Sequence, residues 1–174
     1  DYWNLKKQGT RYDKNGEWAA TGQCNQELLQ DMLEESYIKK SPPKSTGREL
    51  FNGAWLENII SRYDRHCRAE DVQATLSVFT SKCIADAVTS LTQDPEVYLC
   101  GGGVHNSCLI NDIKSSIGKG EIMTTSALGI EPDWVEAATF AWLAKKNING
   151  EKLETAPFTG ATDPCVLGGF YLKD

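Results

Sequence analysis

The chain lacks any apolar run approaching the roughly 20 residues that a membrane helix needs. It lacks an excess of positive charge: 18 Lys and Arg stand against 24 Asp and Glu, a net charge of −6. That balance excludes a nucleic-acid or anionic-membrane partner held by a broad basic surface. It has no C-x-x-C pair. Its six cysteines, Cys24, Cys67, Cys83, Cys100, Cys108 and Cys165, are scattered, mostly in apolar or helical contexts, and read as reduced packing residues of a cytosolic protein rather than disulfides. It has only two histidines, His66 and His105, neither at metal-ligand spacing from the cysteines, so no zinc site is expected. No repeat, low-complexity segment or signal-peptide pattern is visible, and no Ser/His/Asp or Cys/His nucleophile constellation can be picked out.

What is present is an ordinary globular composition, 40% hydrophobic and 24% charged over 174 residues, which suits one domain or one lobe of a larger protein. The first residue is Asp1, and DYWNLKK reads as the tail of an element already under way. The sequence is therefore expected to be a piece of a longer chain, which an intact-mass comparison with the open reading frame would test.

Residues 1–24 read as irregular, with turn signals at Asn15-Gly16 and Thr21-Gly22. Helical spacing follows over 25–35 through Leu28, Leu29, Met32 and Leu33. Pro42-Pro43 forbids helix and opens the cationic loop Lys44 to Arg48. A helix is predicted over 49–63. A stronger one is predicted over 70–91, where Val72, Leu76, Phe79, Cys83, Ala87 and Leu91 form one stripe. Then come a strand at 96–100, a helix at 104–117, a strand at 121–125, a helix from about Pro132 to Lys146, and a tail of loop and short strand over 157–172. Helix, strand, glycine turn, helix, strand, helix is an α/β order. The strands are few for the length, so part of the sheet is expected from elsewhere.

Three features bear on chemistry. VYLCGGGVHNSCL runs a strand into Gly101, Gly102 and Gly103. Three ordered glycines are costly, because glycine loses the most backbone freedom on folding. Either a tight strand-to-helix turn or a backbone lying flat against a ligand would offset that cost. Ligands of α/β sheets sit at carboxyl ends of strands, and a following helix N-terminus offers free N–H groups. Asn106 suits a helix cap or a ligand contact. The stretch is neither G-x-x-x-x-G-K-[ST] nor G-x-G-x-x-G. Next, Glu136 is the lone charge in WVEAATFAWLA, residues 134–144. It reaches a partner, solvent at the helix edge, or a polar cleft, since an unpaired buried carboxylate is costly. Last, PPKSTGRE at 42–49 offers Lys44 and Arg48 to phosphate, or is a solvated connection.

Taken together, DYW at 1–3, YDKNGEWAATG at 12–22, PPKSTGRELFN at 42–52, DVQATLSVFT at 71–80, LCGGGVHN at 99–106 and GIEPDWVEAATFAWLA at 129–144 resemble the anhydro-N-acetylmuramic acid kinase family. PPKSTGRE and PDWVEAxxFAWLA are the distinctive pieces. The resemblance runs from the first residue to the last. It implies an α/β RNase H-like lobe of the actin-like, sugar-kinase-type ATPase fold, a mixed sheet packed with helices. The chain looks like the second half, residues 1–174, of a two-lobe kinase. The family's glycine-rich phosphate segment is not in this sequence. Nor is its general-base aspartate, whose phenylalanine-aspartate-threonine-glycine-proline-glycine-asparagine motif would end just upstream of Asp1.

The resemblance further implies a cytoplasmic enzyme of cell-wall recycling. With ATP and Mg2+, water attacks the anomeric carbon of anhydro-N-acetylmuramic acid and the internal ether opens. The freed oxygen takes the γ-phosphoryl, giving N-acetylmuramic acid 6-phosphate. Gly101, Gly102, Gly103 and Asn106 match the turn that faces nucleotide, and Glu136 matches a glutamate expected to reach the sugar. Lys44, Thr46 and Arg48 have no assigned family role. The N-terminal lobe of the same protein is an expected partner, and a homodimer is expected on resemblance alone. This chain by itself is expected to bind nucleotide weakly and to catalyse nothing. The alternatives are a non-catalytic nucleotide-binding scaffold on the same fold, or another sugar or acyl kinase.

Overall fold

The computed structural model describes residues 1–63 and 67–171. The expectation for His66 and the last position of the predicted tail strand lie outside them. Two small cores share one long helix, α4 (Ala69–Thr89). The first half of α4 packs against α1 (Tyr2–Gln8), α2 (Gln26–Leu33) and α3 (Gly53–Ile60). Trp3, Leu28, Leu29, Met32, Leu56, Ile59, Val72 and Phe79 are buried there. The second half packs against α5 (Ser107–Ile117), where Ala85, Ile113 and Ile117 close a smaller core with Val97 and Ile122.

Those two residues belong to β1 (Glu96–Leu99) and β2 (Glu121–Thr124), paired in parallel with Val97 opposite Ile122. Parallel neighbours need a crossover, and α5 supplies it. Among the described residues the sheet is these two strands, both parallel, not the mixed sheet expected. Helices α6 (Val135–Ile148) and α7 (Ala156–Thr159) complete the chain.

Asparagine starts three helices. The side-chain oxygens of Asn25, Asn52 and Asn106 accept hydrogen bonds from the backbone N–H groups of Leu28, Trp55 and Leu109, at 3.0, 3.0 and 2.9 Å. Each satisfies one amide that an α-helix leaves without an internal acceptor.

Several sequence expectations change. Residues 1–24 are not irregular: α1 forms, anchored by buried Trp3, whose indole N–H donates to the Ala69 carbonyl at 2.8 Å. Two short 3-10 turns follow, Lys14–Gly16 and Ala19–Thr21. Helix α3 is shorter than 49–63, because Asn52 caps it and the chain tightens into a 3-10 turn at Ser61–Tyr63. The α4 stripe holds at Val72 and Phe79 but fails at Ala87 and Leu91, both exposed, Leu91 by 87%. At 100° per residue the row from 72 to 91 drifts about 100° around the helix. Ala85 and Val88 take its place against α5. The helix predicted at 104–117 begins only at Ser107, after a 3-10 turn over Gly102–His105. The tail makes one isolated bridge, Leu153 with Cys165, and no strand over its described residues. All six cysteines are free, but Cys100 and Cys165 are exposed rather than packed.

The start of α4 is braced by charge. Arg68 donates to both oxygens of Asp71, from Nε at 2.9 Å and from Nη2 at 2.7 Å, and the Gln23 backbone N–H donates at 2.8 Å. These bonds, the guanidinium's first, hold the Asp71 carboxyl below the usual range. A depressed folded-state pKa contributes stability that is present above the unfolded value, about 3.9, and is lost as pH falls through the folded value. Asp71→Asn is therefore expected to lower the urea midpoint at pH 7. Its deficit relative to wild type should shrink steadily below about pH 4. A deficit constant across that range would show that packing, not the ionised carboxylate, carries the effect.

Candidate functional site

At the carboxyl end of β1 the chain leaves the sheet through Cys100 and Gly101. Gly101 has φ 74° and ψ −178°, a region essentially reserved for glycine, and its N–H donates to the Pro132 carbonyl at 2.9 Å. The fold itself thus requires this glycine. Gly102 and Gly103 differ: neither has a positive φ. A Cβ on Gly102 would meet nothing within 4 Å, and one on Gly103 would only touch Leu109 at 3.9 Å. No contact among the described residues demands two glycines here. What they preserve is open space in front of the backbone.

That space is a cavity of about 850 Å³, large enough for a nucleotide-sized ligand. Gly102, Gly103, His105, Asn106 and Leu109 form one wall. Gln73, Leu76, Ser77 and Thr80 of α4 form the floor, and Tyr12 to Asn15 with Asp1 and Ala19 form the other wall. The 3-10 turn and α5 both begin at this end of the sheet, and a helix start leaves its first amides without intrahelical acceptors.

The Asn15-Gly16 turn is the sequence signal for the second wall. Asn15 takes φ 56° and Gly16 φ 72°. A Cβ on Gly16 would lie 2.2 Å from Asn106 Oδ1 and 2.5 Å from Cys108 Cβ, so the loop docks directly on the α5 cap. Asp13 sets this loop: its two oxygens accept the Trp18 and Ala19 backbone N–H groups, each at 2.9 Å, and Gln73 Nε2 donates to it at 3.3 Å. The remaining Gln73 oxygen is buried and has no donor among the described residues. Ser77 donates to Asp112 at 2.6 Å behind the floor. Nearby Cys108 is no activated nucleophile, since burial, then the Asp112 charge, push its thiol pKa up.

The sequence candidates distribute unevenly. Gly102, Gly103 and Asn106 line the cavity; Gly101 is a backbone hinge beside it. Asn106 caps α5 with its oxygen, so one of its two expected roles is filled. Glu136 is exposed in the first turn of α6 and does not line the cavity. It is nonetheless tied to the glycine turn, since the 3-10 turn Pro132–Trp134 leading into α6 is bonded at Pro132 by Gly101, and His105 Nε2 meets Asp133 at 2.9 Å. The PPKSTGRE loop is not part of the cavity. Lys44 Nζ donates to the carbonyls of Tyr37 and Ile38 at 3.1 and 3.0 Å and sits over the Tyr37 ring, a structural engagement; Thr46 and Arg48 are exposed. Sequence reasoning missed Asp13, Lys14 and Gln73 as cavity residues. Among the described residues no group of three or more His, Cys, Asp or Glu side chains could hold a metal ion.

Residues 1–173 match the family model described as anhydro-N-acetylmuramic acid kinase. A curated protein of that name from Shewanella loihica is 42% identical over 171 residues, covering 98% of this chain and 46% of its own length. One from Shewanella halifaxensis is 40% identical over 174 residues, covering 100% of this chain and 47% of its own. One from Thiobacillus denitrificans is 41% identical over 172 residues, with 98% and 46% covered. The chain spans about half the length of the curated relatives it matches.

Proposed function

This chain belongs to the anhydro-N-acetylmuramic acid kinase family, and we propose that the whole protein carrying it is an ATP-dependent kinase for that anhydro sugar. In this reading water adds at the anomeric carbon, the internal ether bond breaks, and the freed oxygen takes the γ-phosphoryl of ATP. The products are N-acetylmuramic acid 6-phosphate and ADP. The reaction would serve recycling of cell-wall sugar in the cytoplasm. The general-base aspartate belongs to sequence outside this chain, on or near a second lobe. The present chain is the lobe that carries the nucleotide turn, a partial sheet of RNase H-like type.

One observation carries the nucleotide assignment: Gly102 and Gly103 have no conformational or packing reason to be glycine, and both open onto the cavity. A ligand lying on the backbone supplies the reason. Phosphoryl transfer is mostly positioning and charge stabilisation, so a cleft of backbone amides suits it. Mg2+ would neutralise phosphate charge. It commonly keeps several waters and takes one or two carboxylates plus phosphate oxygens. Asp1, a cavity residue whose side chain caps nothing, fits that donor chemistry; Asp13 is already engaged by three donors.

Glu136 is proposed to reach the sugar across the cleft. Its exposure on α6, one turn from the glycine-turn contact, leaves it free to do so. Glu136→Gln in the whole protein should lower turnover with sugar more than about tenfold, the scale of one positioned acid–base group. Unchanged kinetics would remove it from the site.

The decisive test is ADP release by the whole protein with Mg-ATP, with and without anhydro-N-acetylmuramic acid, and product mass read in parallel. Sugar-dependent ADP and a product heavier by one water and one phosphoryl group are expected. Absence of sugar-stimulated release would leave a nucleotide-binding module without this chemistry.

A further inference from the structure

We propose that Lys14 binds the polyphosphate of the nucleotide, as the cationic group of the wall facing the glycine turn. The inference rests on the nucleotide reading above and adds a residue to it. Lys14 is the only Lys or Arg lining the cavity among the described residues. It is exposed and makes no ion pair among them. Its neighbours leave it so. The Asp13 carboxylate is spent on Trp18, Ala19 and Gln73, and Glu17 accepts from Asn15 Nδ2 at 3.2 Å.

Several other cations are engaged, and those that are not, such as Arg11, Arg48 and Lys114, do not line this cavity. Lys6 meets Glu57, Lys39 meets Glu34, Lys82 meets Asp86, Lys146 meets Glu151, Arg62 meets Asp31, and Arg68 meets Glu70 and Asp71. Lys44 is held by backbone carbonyls. In a chain of net charge −6, Lys14 is a positive charge on the cavity wall that is open to an anion from outside.

Position specifies which part of the ligand. Two residues after Lys14, Gly16 presses on Asn106, the α5 cap. The ammonium therefore extends from the loop docked at the α5 N-terminus, where the helix dipole and free amides also favour negative charge. The apolar side chain of Leu76, on the α4 floor of the cavity, suits the uncharged part of a nucleotide. Lysine binds phosphate as a flexible point charge and needs no fixed fork geometry.

The test compares ATP, ADP and adenosine binding to wild-type, Lys14→Gln and Lys14→Arg forms of the whole protein by calorimetry, with melting temperatures recorded. Lys14→Gln is expected to weaken ATP and ADP about tenfold or more, the worth of a hydrogen bond to a charged group. Adenosine affinity and melting temperature should not move, Lys14→Arg should recover most of the loss, and salt should weaken ATP binding less in the glutamine variant. Wild-type ATP affinity in Lys14→Gln, or an equal loss for ATP and adenosine, would overturn the assignment and leave the nucleotide reading standing. A wild-type protein that binds no nucleotide at all would overturn both.

Discussion

Gly102→Val is expected to lower the ATP affinity of the whole protein on the order of a hundredfold while leaving its melting temperature within about a degree or two. The two halves of that expectation come from the same geometry. Gly102 has no positive φ and its Cβ would enter open space, so valine strains neither backbone nor neighbours. Substitutions of that kind usually fall within about 0.5 kcal/mol. The open space, however, is the cavity in front of the turn. Filling it with a branched side chain forces an overlap of the 1–3 kcal/mol class on any ligand that lies against the backbone, and each 1.4 kcal/mol is tenfold in affinity. Gly101→Val is the control with the opposite signature. There φ 74° and ψ −178° would be imposed on a β-branched residue, so stability should fall by about 1–3 kcal/mol. Unimpaired ATP binding by Gly102→Val would remove the ligand explanation and leave the glycines as a turn.

The sequence made the first wall of this site readable and hid the second. A strand ending in glycines and an Asx residue before an apolar helix are local signals. The strand, the turn, the Asn106 cap and α5 all stand where those signals put them, within a few residues. Lys14 was invisible as a cavity residue because nothing near it in sequence announces what it faces. Its placement depends on Gly16 packing against Asn106, a contact between distant segments. The Asn15-Gly16 turn was readable; its docking partner was not.

Helix α1 shows the same limit. YWNLKKQ has too few apolar positions for a stripe, and Leu5 is 53% exposed. The helix is held by one tertiary anchor, Trp3 against the start of α4. The α4 stripe failed for a different reason. One helix serves two cores on different faces, whereas a single amphipathic row assumes one. At the other end, the lone charge of WVEAATFAWLA left Glu136 open between partner, solvent and cleft; the side chain is exposed, and spacing within the helix could not say what lies opposite it.

Phe140→Ala is expected to destabilise the whole protein by about 3 kcal/mol or more and to leave the 174-residue chain nearly unchanged. In this chain Phe140 is 70% exposed, so its removal forfeits little contact. The exposure is not confined to one side of α6. Trp134, Phe140, Trp142 and Ile148 are all exposed, and no residue of the helix is buried. From Val135 to Ala144 only Glu136 and Thr139 are polar, and a helix so apolar is ordinarily interior to a larger structure. Such a helix left bare is an aggregation surface unless something covers it. The curated relatives are about twice as long as this chain, and the proposed occupant is the remainder of a whole protein of that length. If that remainder buries Phe140, truncation to alanine costs what buried Phe→Ala changes cost, about 3–5 kcal/mol. Urea unfolding of both forms reads the difference. A whole protein as indifferent to the change as the short chain would mean that the remainder leaves Phe140 uncovered. Glu136, on the same helix, would then have lost its route to a sugar bound between two lobes.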